Sequence, residues 1–513
     1  MSRRQGAGVP PSVEHEGSDR THDRGRMLLL HTTCCYLDDI VRTLCGLERH
    51  RLFAEIEFHH GLVDGSVCPY AAQLPAPIAG NCVRINQNAL VYLQDGDRSV
   101  HWMRSHLSDH PDSPFDLDTI QQVSVFTTTY KDLNLWEIVK CSVAAYLEWE
   151  SLRNCVSGGM SDRDFSQVKA FFWDAVKYID ATERLLAHVE PTHCIVFNGH
   201  FHRERIAVEL CRRRSIAVLA IESSTFRDLK HLSQTGVAGN RNDWALLGND
   251  YIVARRLSAW EKTRLDSFMN RKLAGDGNFI ALPPRRSGVR ERLRIRADVK
   301  VVLFLGQVPH DSAVTSDDLA FCDVPSAIEL LLAQFATKFI DAVLVVRLHP
   351  GGAVTSLRKD LLADRYTARE LPQNVRLVTG LLENTYDLME TADVAITCSS
   401  QAGLETLWLG KPLIVLGNPY YAGKGFTRDV TNDAALGTAL SESLVGARHS
   451  QDQTGRFHAF LYGLIFEYLI PFSRDAGALT ERGYQMVHNV LTGRGRLFSV
   501  AQSALDKPYD RVD

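Results

Sequence analysis

The sequence predicts an α/β protein of two domains, the second doubly wound, and three observations carry the prediction. A chain of 513 residues is too long for one hydrophobic core, so it is expected to divide. Residues 193–223 read as strand, helix, strand over about the thirty residues that a parallel crossover takes. From residue 300 onward, near-continuous Val/Leu/Ile runs alternate with helical stretches, the pattern of a parallel sheet covered on both faces.

Taken in order, residues 1–26 are polar and rich in charges and turn formers, and are expected to form a disordered arm. MLLLH (27–31) reads as a first buried strand, with others around 51–60 and 88–93. Residues 132–189 place apolar side chains at helical spacing and are expected to be mainly helical. HCIVFNG (193–199) is then a strand, RERIAVELCRRR (203–214) a helix and IAVLAIES (216–223) a second strand. Their ends put Asn198, Gly199, His200 and Glu222 on one rim. Ligands of open parallel sheets bind outside the carboxyl ends of the strands, so this rim is one candidate half-site. Asn198, His200 and Arg203 are assigned to its acceptor side. The basic stretch PPRRSGVRERLRIRADVK (283–300) reads as an interdomain linker with a short helix.

Beyond it lie strand KVVLFLGQ, a helix near 324–337, strands AVLVVRLHP and VRLVTG, a helix over 383–391, strand DVAITCSS, helix AGLETLWLG and strand KPLIVLG. Residues 454–495 read as a helical tail packing back on the first domain. The boundaries are therefore 27–285 for the N-terminal domain, 300–450 for the C-terminal domain and 451–513 for the tail.

Composition narrows the function. Lys and Arg number 57 against 61 Asp and Glu, a formal charge of −4, so no overall basic field exists to neutralise a nucleic acid. The 11 cysteines are scattered and odd in number, which argues against a disulfide framework and for a reducing cytoplasm. No Cys/His group has zinc-site spacing, so no metal and no resident cofactor is expected. No run reaches the roughly 18 apolar residues needed to span a bilayer, so any membrane association is expected to be peripheral, at the inner face of the inner membrane.

Four stretches at strand carboxyl ends carry candidate chemistry. In DVAITCSSQAGLETLWLG (393–410) a strand runs through Ser399 and Ser400 directly into a helix, whose unpaired N–H groups and positive dipole end suit a phosphate. Serine there is equally a good helix cap. The position three after Ser400 is Gly403 rather than an acid, so a capping box is absent and Glu405 is left to accept hydrogen bonds from ribose hydroxyls. Gly403 would let a ligand approach closely. Arg347 and His349 end another strand, where they could meet a phosphate. Gln307 and Asp311 follow a third. NPYYAGKGFTRD (418–429) follows the last, and its Tyr421, Gly423 and Lys424 belong to a loop able to fold over a nucleotide.

These stretches resemble the capsule polysaccharide synthesis family of bacteria, relatives of the enzymes that attach β-linked Kdo. The likeness covers roughly residues 190–430 and rests chiefly on TYDLMETADVAITCSSQAGLETLWLGKPLIVLGNPYYAGKGFTRDV (385–430), with GQVPHDSAV (306–314), RLHPGG (347–352), VFNGHFHRER (196–205) and IESSTFRD (221–228) in support. It implies a GT-B arrangement, two doubly wound Rossmann-like domains facing across a cleft. It also implies a nucleotide-activated sugar, often CMP-Kdo, held by the C-terminal domain, and a glycan or glycolipid acceptor. Ser223 and Ser224 depart from it, because the Kdo transferases usually carry an acidic residue directly after the glutamate. On this reading Glu222 is the first choice for general base or sugar-contacting carboxylate, with Asp228 and Asp311 as rivals. Two other readings of the same fold stay open: a non-catalytic nucleotide-binding or assembly protein, and an epimerase or polyol-phosphate transferase, which product analysis separates.

Overall fold

The structure, a computed structural model, describes residues 26–31, 55–60, 100–102, 106–147, 159–236, 249–276, 278, 281–315, 321–349, 361–446, 450–473 and 478–491, save positions 109, 227 and 310. Residues 1–25 of the expected arm and the strand expected over 88–93 lie outside them.

The first domain opens with parallel strands β1 (Arg26–His31), β2 (Glu55–His60) and β3 (Val100–Trp102). A short hairpin, β4 (Thr129–Tyr130) and β5 (Leu133–Asn134), leads into helices α1 (Leu135–Leu147) and α2 (Asp162–Val189). The start of α2 is set by Ser161, whose hydroxyl accepts from the Asp164 N–H at 3.1 Å, and its end by Glu190 in the left-handed conformation. Its Val168, Phe172, Ala175, Val176 and Ile179 recur at helical spacing and are wholly buried against α1 and the sheet. Strand β6 (His193–Phe197), helix α3 (His202–Arg213) and strand β7 (Ala217–Ser223) form the expected crossover. The chain then turns back as β8 (Leu229–Ser233), antiparallel to β7.

Helices α4 (Asn249–Ala254) and α5 (Ala259–Leu273) follow, the latter opened by a reciprocal Ser258/Glu261 capping box. The linker contains the short helix α6 (Val289–Arg292).

The second domain comprises β9 (Lys300–Leu305), α7 (Ser312–Thr315), α8 (Val324–Thr337), β10 (Ala342–Arg347), α9 (Leu361–Thr367), β11 (Val375–Val378), α10 (Thr385–Thr391), β12 (Val394–Thr397), α11 (Ala402–Trp408), β13 (Leu413–Val415), β14 (Arg428–Asp429) and α12 (Asp433–Leu444). Its sheet is parallel throughout, in the order β11-β10-β9-β12-β13-β14. That is the doubly wound order in which the winding reverses between the first and fourth strands. The same reversal occurs in the first sheet, where β3-β2-β1 meet β6-β7.

The tail differs from the helix expected over 454–495. Helix α13 (Gln451–Gly463) passes through a π-helical turn at Leu464–Tyr468, and the chain then becomes β15 (Ile470–Ser473) and β16 (Ala478–Leu479) before helix α14 (Glu481–Leu491). Pro471 cannot donate within a helix, and Ile470 and Phe472 are buried while their neighbours are half-buried, the period of a strand. β15 pairs antiparallel with β8, so the tail extends the first sheet rather than only covering it. One apolar core joins Phe226 and Leu229 of the first domain to α5, one face of the second sheet, and α13.

Candidate active site

Each winding reversal opens a crevice at the carboxyl ends of its sheet. In the first domain the chain leaves β6 through Asn198 and Gly199, both at positive φ (24° and 77°), which only a short polar residue and a glycine adopt readily. The turn is held by the Asn198 N–H donating to the Ile221 carbonyl at 3.1 Å and by the His200 N–H donating to Asn198 Oδ1 at 3.0 Å. The Asn198 side chain also hydrogen-bonds the carboxylate of Glu222, at the end of β7. In the second domain the Ser399 N–H donates to Gln307 Oε1 at 2.7 Å, and Thr397 Oγ1 donates to the Leu305 carbonyl at 3.0 Å. These two bonds tie the ends of β9 and β12 at the reversal.

The rims face each other. Thr315 of α7 and Cys141 of α1 meet at 3.4 Å between hydroxyl and sulfur. Asp311, at the start of α7, acts electrostatically on Glu222. Burial is the main cause that pushes the Glu222 carboxyl up to about 7, and the Asp311 charge adds to it against the hydrogen bond from Asn198. Thus Glu222, Asn198 and Asp311 are brought together from the two domains.

Arg347 is 2% exposed. Its Nη1 donates to the Gly380 carbonyl at 2.6 Å and its Nε reaches Thr385 Oγ1 at 3.5 Å, whereas Nη2 has no hydrogen-bond partner among the described residues. Burial lowers this guanidinium to about 10, still cationic at neutral pH, so a buried charge retains an unused donor of the kind an anion satisfies. Burial, then the Arg347 charge, lowers His349 to about 4; it is therefore a neutral imidazole at neutral pH.

Other expected contacts are committed to the fold. Three donors at the start of α11 are occupied: the Ser400 N–H donates to Thr397 Oγ1 at 3.1 Å, the Ala402 N–H to Ser400 Oγ at 3.3 Å, and the Gly403 N–H to the Ser400 carbonyl at 3.0 Å. Ser400 thus braces the chain just before the N-cap Gln401, and the N–H groups of Ala402 and Gly403, expected to face a phosphate, are committed to it. Glu405 is not free to reach out: it is buried, 3.4 Å from Lys272 Nζ, and Tyr386 OH donates to it at 3.3 Å. The expected ligand approach over Gly403 is blocked, because a Cβ there would lie 2.6 Å from the Tyr421 hydroxyl. Tyr421 is wholly buried and donates to the Ser400 carbonyl at 2.6 Å. The Gly423 N–H donates to Asp429 at 2.6 Å, and the buried Lys424 lies 5.6 Å from the Phe460 ring centre. On the acceptor side, Arg203 pairs with Asp174 at 3.2 Å and stacks on Tyr178. Asp228 is exposed in the β7–β8 turn.

Two lysines escaped the reading of the sequence. Lys272 of α5 donates to the Thr225 carbonyl at 2.9 Å and pairs with Glu405, joining the β7–β8 turn to α11. Lys230 of β8 donates to Ser223 at 3.1 Å and bears on Glu222. Neither stands in a motif, and their partners are far away in the chain or across a hairpin. Ser142, His202 and Asp174 also form a hydrogen-bonded chain, with contacts of 2.9 and 2.7 Å. The serine is wholly buried and accepts from the His202 N–H, so it is no nucleophile.

Among the described residues no three His, Cys, Asp or Glu side chains gather as a metal site, and no helix is long and apolar enough to cross a membrane.

The fold is α/β, with two largely parallel sheets whose winding reversals lie on facing rims. Residues 250–447 match the model of the family described as capsule polysaccharide biosynthesis protein. No curated protein sequence matches significantly. Among solved structures, a β-Kdo 2,4 transferase of KpsC from Thermosulfurimonas dismutans is 19% identical, over 57% of this chain and 86% of that one, with a TM-score of 0.41. The β-Kdo 2,7 transferase of the same protein is 18% identical, over 61% and 89%, with a TM-score of 0.37. A UDP-GlcNAc 2-epimerase from Neisseria meningitidis is 11% identical, over 91% and 100%, with a TM-score of 0.29. Likenesses this loose carry no weight in assigning the site.

Proposed function

We propose that the chain is a glycosyltransferase, taking a sugar from a nucleotide donor and adding it to a bacterial capsule or surface polysaccharide or to its lipid-linked precursor. The observation that carries the reading is Glu222, placed at the crevice of the first sheet, opposed by Asp311 of the second domain and poised near 7. A carboxylate with that pKa is matched to taking a proton from a sugar hydroxyl at neutral pH. The family match over residues 250–447 supplies the capsule context.

In this mechanism the acceptor hydroxyl attacks the anomeric carbon of the donor, its proton passes to Glu222, and the bond from the anomeric carbon to the phosphate oxygen breaks. Asn198 fixes the carboxylate. Charge developing on the leaving phosphate is met by Arg347, through its unused Nη2, and by the neutral imidazole of His349, so no metal is required at that step. Ser400, Glu405, Tyr421 and Gly403 shape the wall behind the phosphate instead of touching it. CMP-Kdo is the first donor to try, on the sequence resemblance.

The reading is tested by supplying donor and a capsule-type acceptor to wild type and Glu222→Gln and analysing the products by mass spectrometry. A glycosylated acceptor from wild type, with turnover at least about a hundredfold lower in the variant, is expected. Release of free sugar and nucleotide without acceptor, or turnover in the variant within a few-fold of wild type, contradicts it.

A further inference from the structure

The loop after β11 holds Leu381 and Leu382 side by side on the surface, 41% and 69% exposed. The loop is braced from below. The Gly380 carbonyl accepts from Arg347 at 2.6 Å, Asn384 Nδ2 donates to the Pro283 carbonyl at 2.6 Å, and Arg292 grips Glu383 with bonds of 2.8 and 2.7 Å. The bonds of Asn384 and Glu383 lock the loop to the arginine-rich linker. There Glu383 is paired with Arg292, and Asp387 and Glu390 with Arg285, while Glu291 of the linker is exposed. Arg286 and Arg294 are exposed; the Arg286 N–H donates to Asp387 Oδ2 at 2.7 Å, and neither guanidinium forms an ion pair among the described residues. Arg376 directs its guanidinium to the carbonyls of Leu293, Arg294, Gln373 and Val375, which hold it to the fold.

Two apolar side chains held outward on a loop that is bonded to an arginine-rich linker have the chemistry of an interfacial anchor, in which leucines enter the acyl boundary and cations meet anionic headgroups. A pair of leucines is too small for the core of a stable protein interface, and the positive charge of the linker selects an anionic surface. We propose that this loop and linker dock the protein on an anionic lipid bilayer. The inference deepens the lipid-linked acceptor reading and rests on it for its purpose. Because Gly380 holds Arg347, docking here would set the donor side of the crevice next to the membrane.

The test uses the full chain and sedimentation with vesicles of phosphatidylcholine alone or mixed with phosphatidylglycerol, and needs neither donor nor acceptor. Wild type is expected to pellet with the anionic vesicles only, and less so in high salt. Arg286→Gln and Arg294→Gln should each weaken binding about fivefold, and the double variant Leu381→Ser/Leu382→Ser by about tenfold or more. All are exposed, so melting temperatures should stay at the wild-type value. No pelleting with anionic vesicles, equal pelleting with neutral ones, or a double leucine variant that pellets like wild type overturns the proposal. So would a loss of protein–protein association in that variant with vesicle binding unchanged. Any of these leaves the transfer reading standing if sugar transfer to a soluble acceptor is intact.

Discussion

Glu222 makes a prediction that a merely solvated strand-end acid would not. Its folded carboxyl holds a proton up to about 7, against 4.5 for the ordinary group. Between those values the native chain binds more protons than the unfolded one, so this residue's contribution to stability falls as pH rises through the window. Glu222→Gln removes that loss. Its melting temperature by scanning calorimetry should match wild type at pH below 4.5 and exceed it above 7; equal values at both ends would show that the carboxyl titrates normally. His349 gives the converse case. With its imidazole lowered to about 4, it does not gain charge between about pH 6 and 8, where an ordinary histidine would. Nucleotide affinity measured by calorimetry should not rise through His349 on acidification over that range, and a tenfold rise that disappears in His349→Ala would contradict this. That Glu222 belongs to a rim was legible in IAVLAIES, since a buried strand must deliver its last residue there. The upward shift of its carboxyl was not legible, because the burial that chiefly causes it, and the Asp311 charge that adds to it, arise only when the chain is assembled.

At the level of elements, α5 and α11 are coupled by Lys272 and Glu405, whose side chains are 6% and 10% exposed. Removing one member of a buried pair strands the other charge, at a cost of about 3–5 kcal/mol. Glu405→Leu should therefore lower the melting temperature sharply, while Lys272→Met/Glu405→Leu should recover much of the loss. An undiminished deficit in the double variant would mean that the pair is not the source. Gly403→Ala places a methyl 2.6 Å from the Tyr421 hydroxyl and 2.8 Å from Leu413 Cδ2, and overpacking of this kind costs about 1–3 kcal/mol. A destabilised variant that still binds nucleotide is expected in thermal shift; lost binding with unchanged stability would return Gly403 to the ligand. Spacing around Ser400 showed correctly that no capping box forms, yet Glu405 found partners 19 residues away at Tyr386 and on another helix at Lys272. Such distant partners leave no local pattern.

For the whole molecule, the second domain was readable because strands such as AVLVVR are buried on both faces and so are apolar throughout. EIEFHH in the first sheet and IPFS in the tail have no such signature. β15 joins β8 across more than two hundred residues, a pairing that periodicity does not encode. The facing of the two rims emerges only from that assembly, in which the tail, α5 and the second sheet share one core. The central claim is that this crevice binds the nucleotide of a sugar donor with its phosphate at Arg347. The most direct measurement is thermal stabilisation of wild type and Arg347→Met by CMP, CDP, UDP, GDP, ADP and TDP. At about a hundred times its dissociation constant a ligand adds about 2.7 kcal/mol, so a clear rise in wild type with one nucleotide, absent in a folded Arg347→Met, is the predicted result. No rise with any of the six, or an equal rise in both proteins, would contradict it.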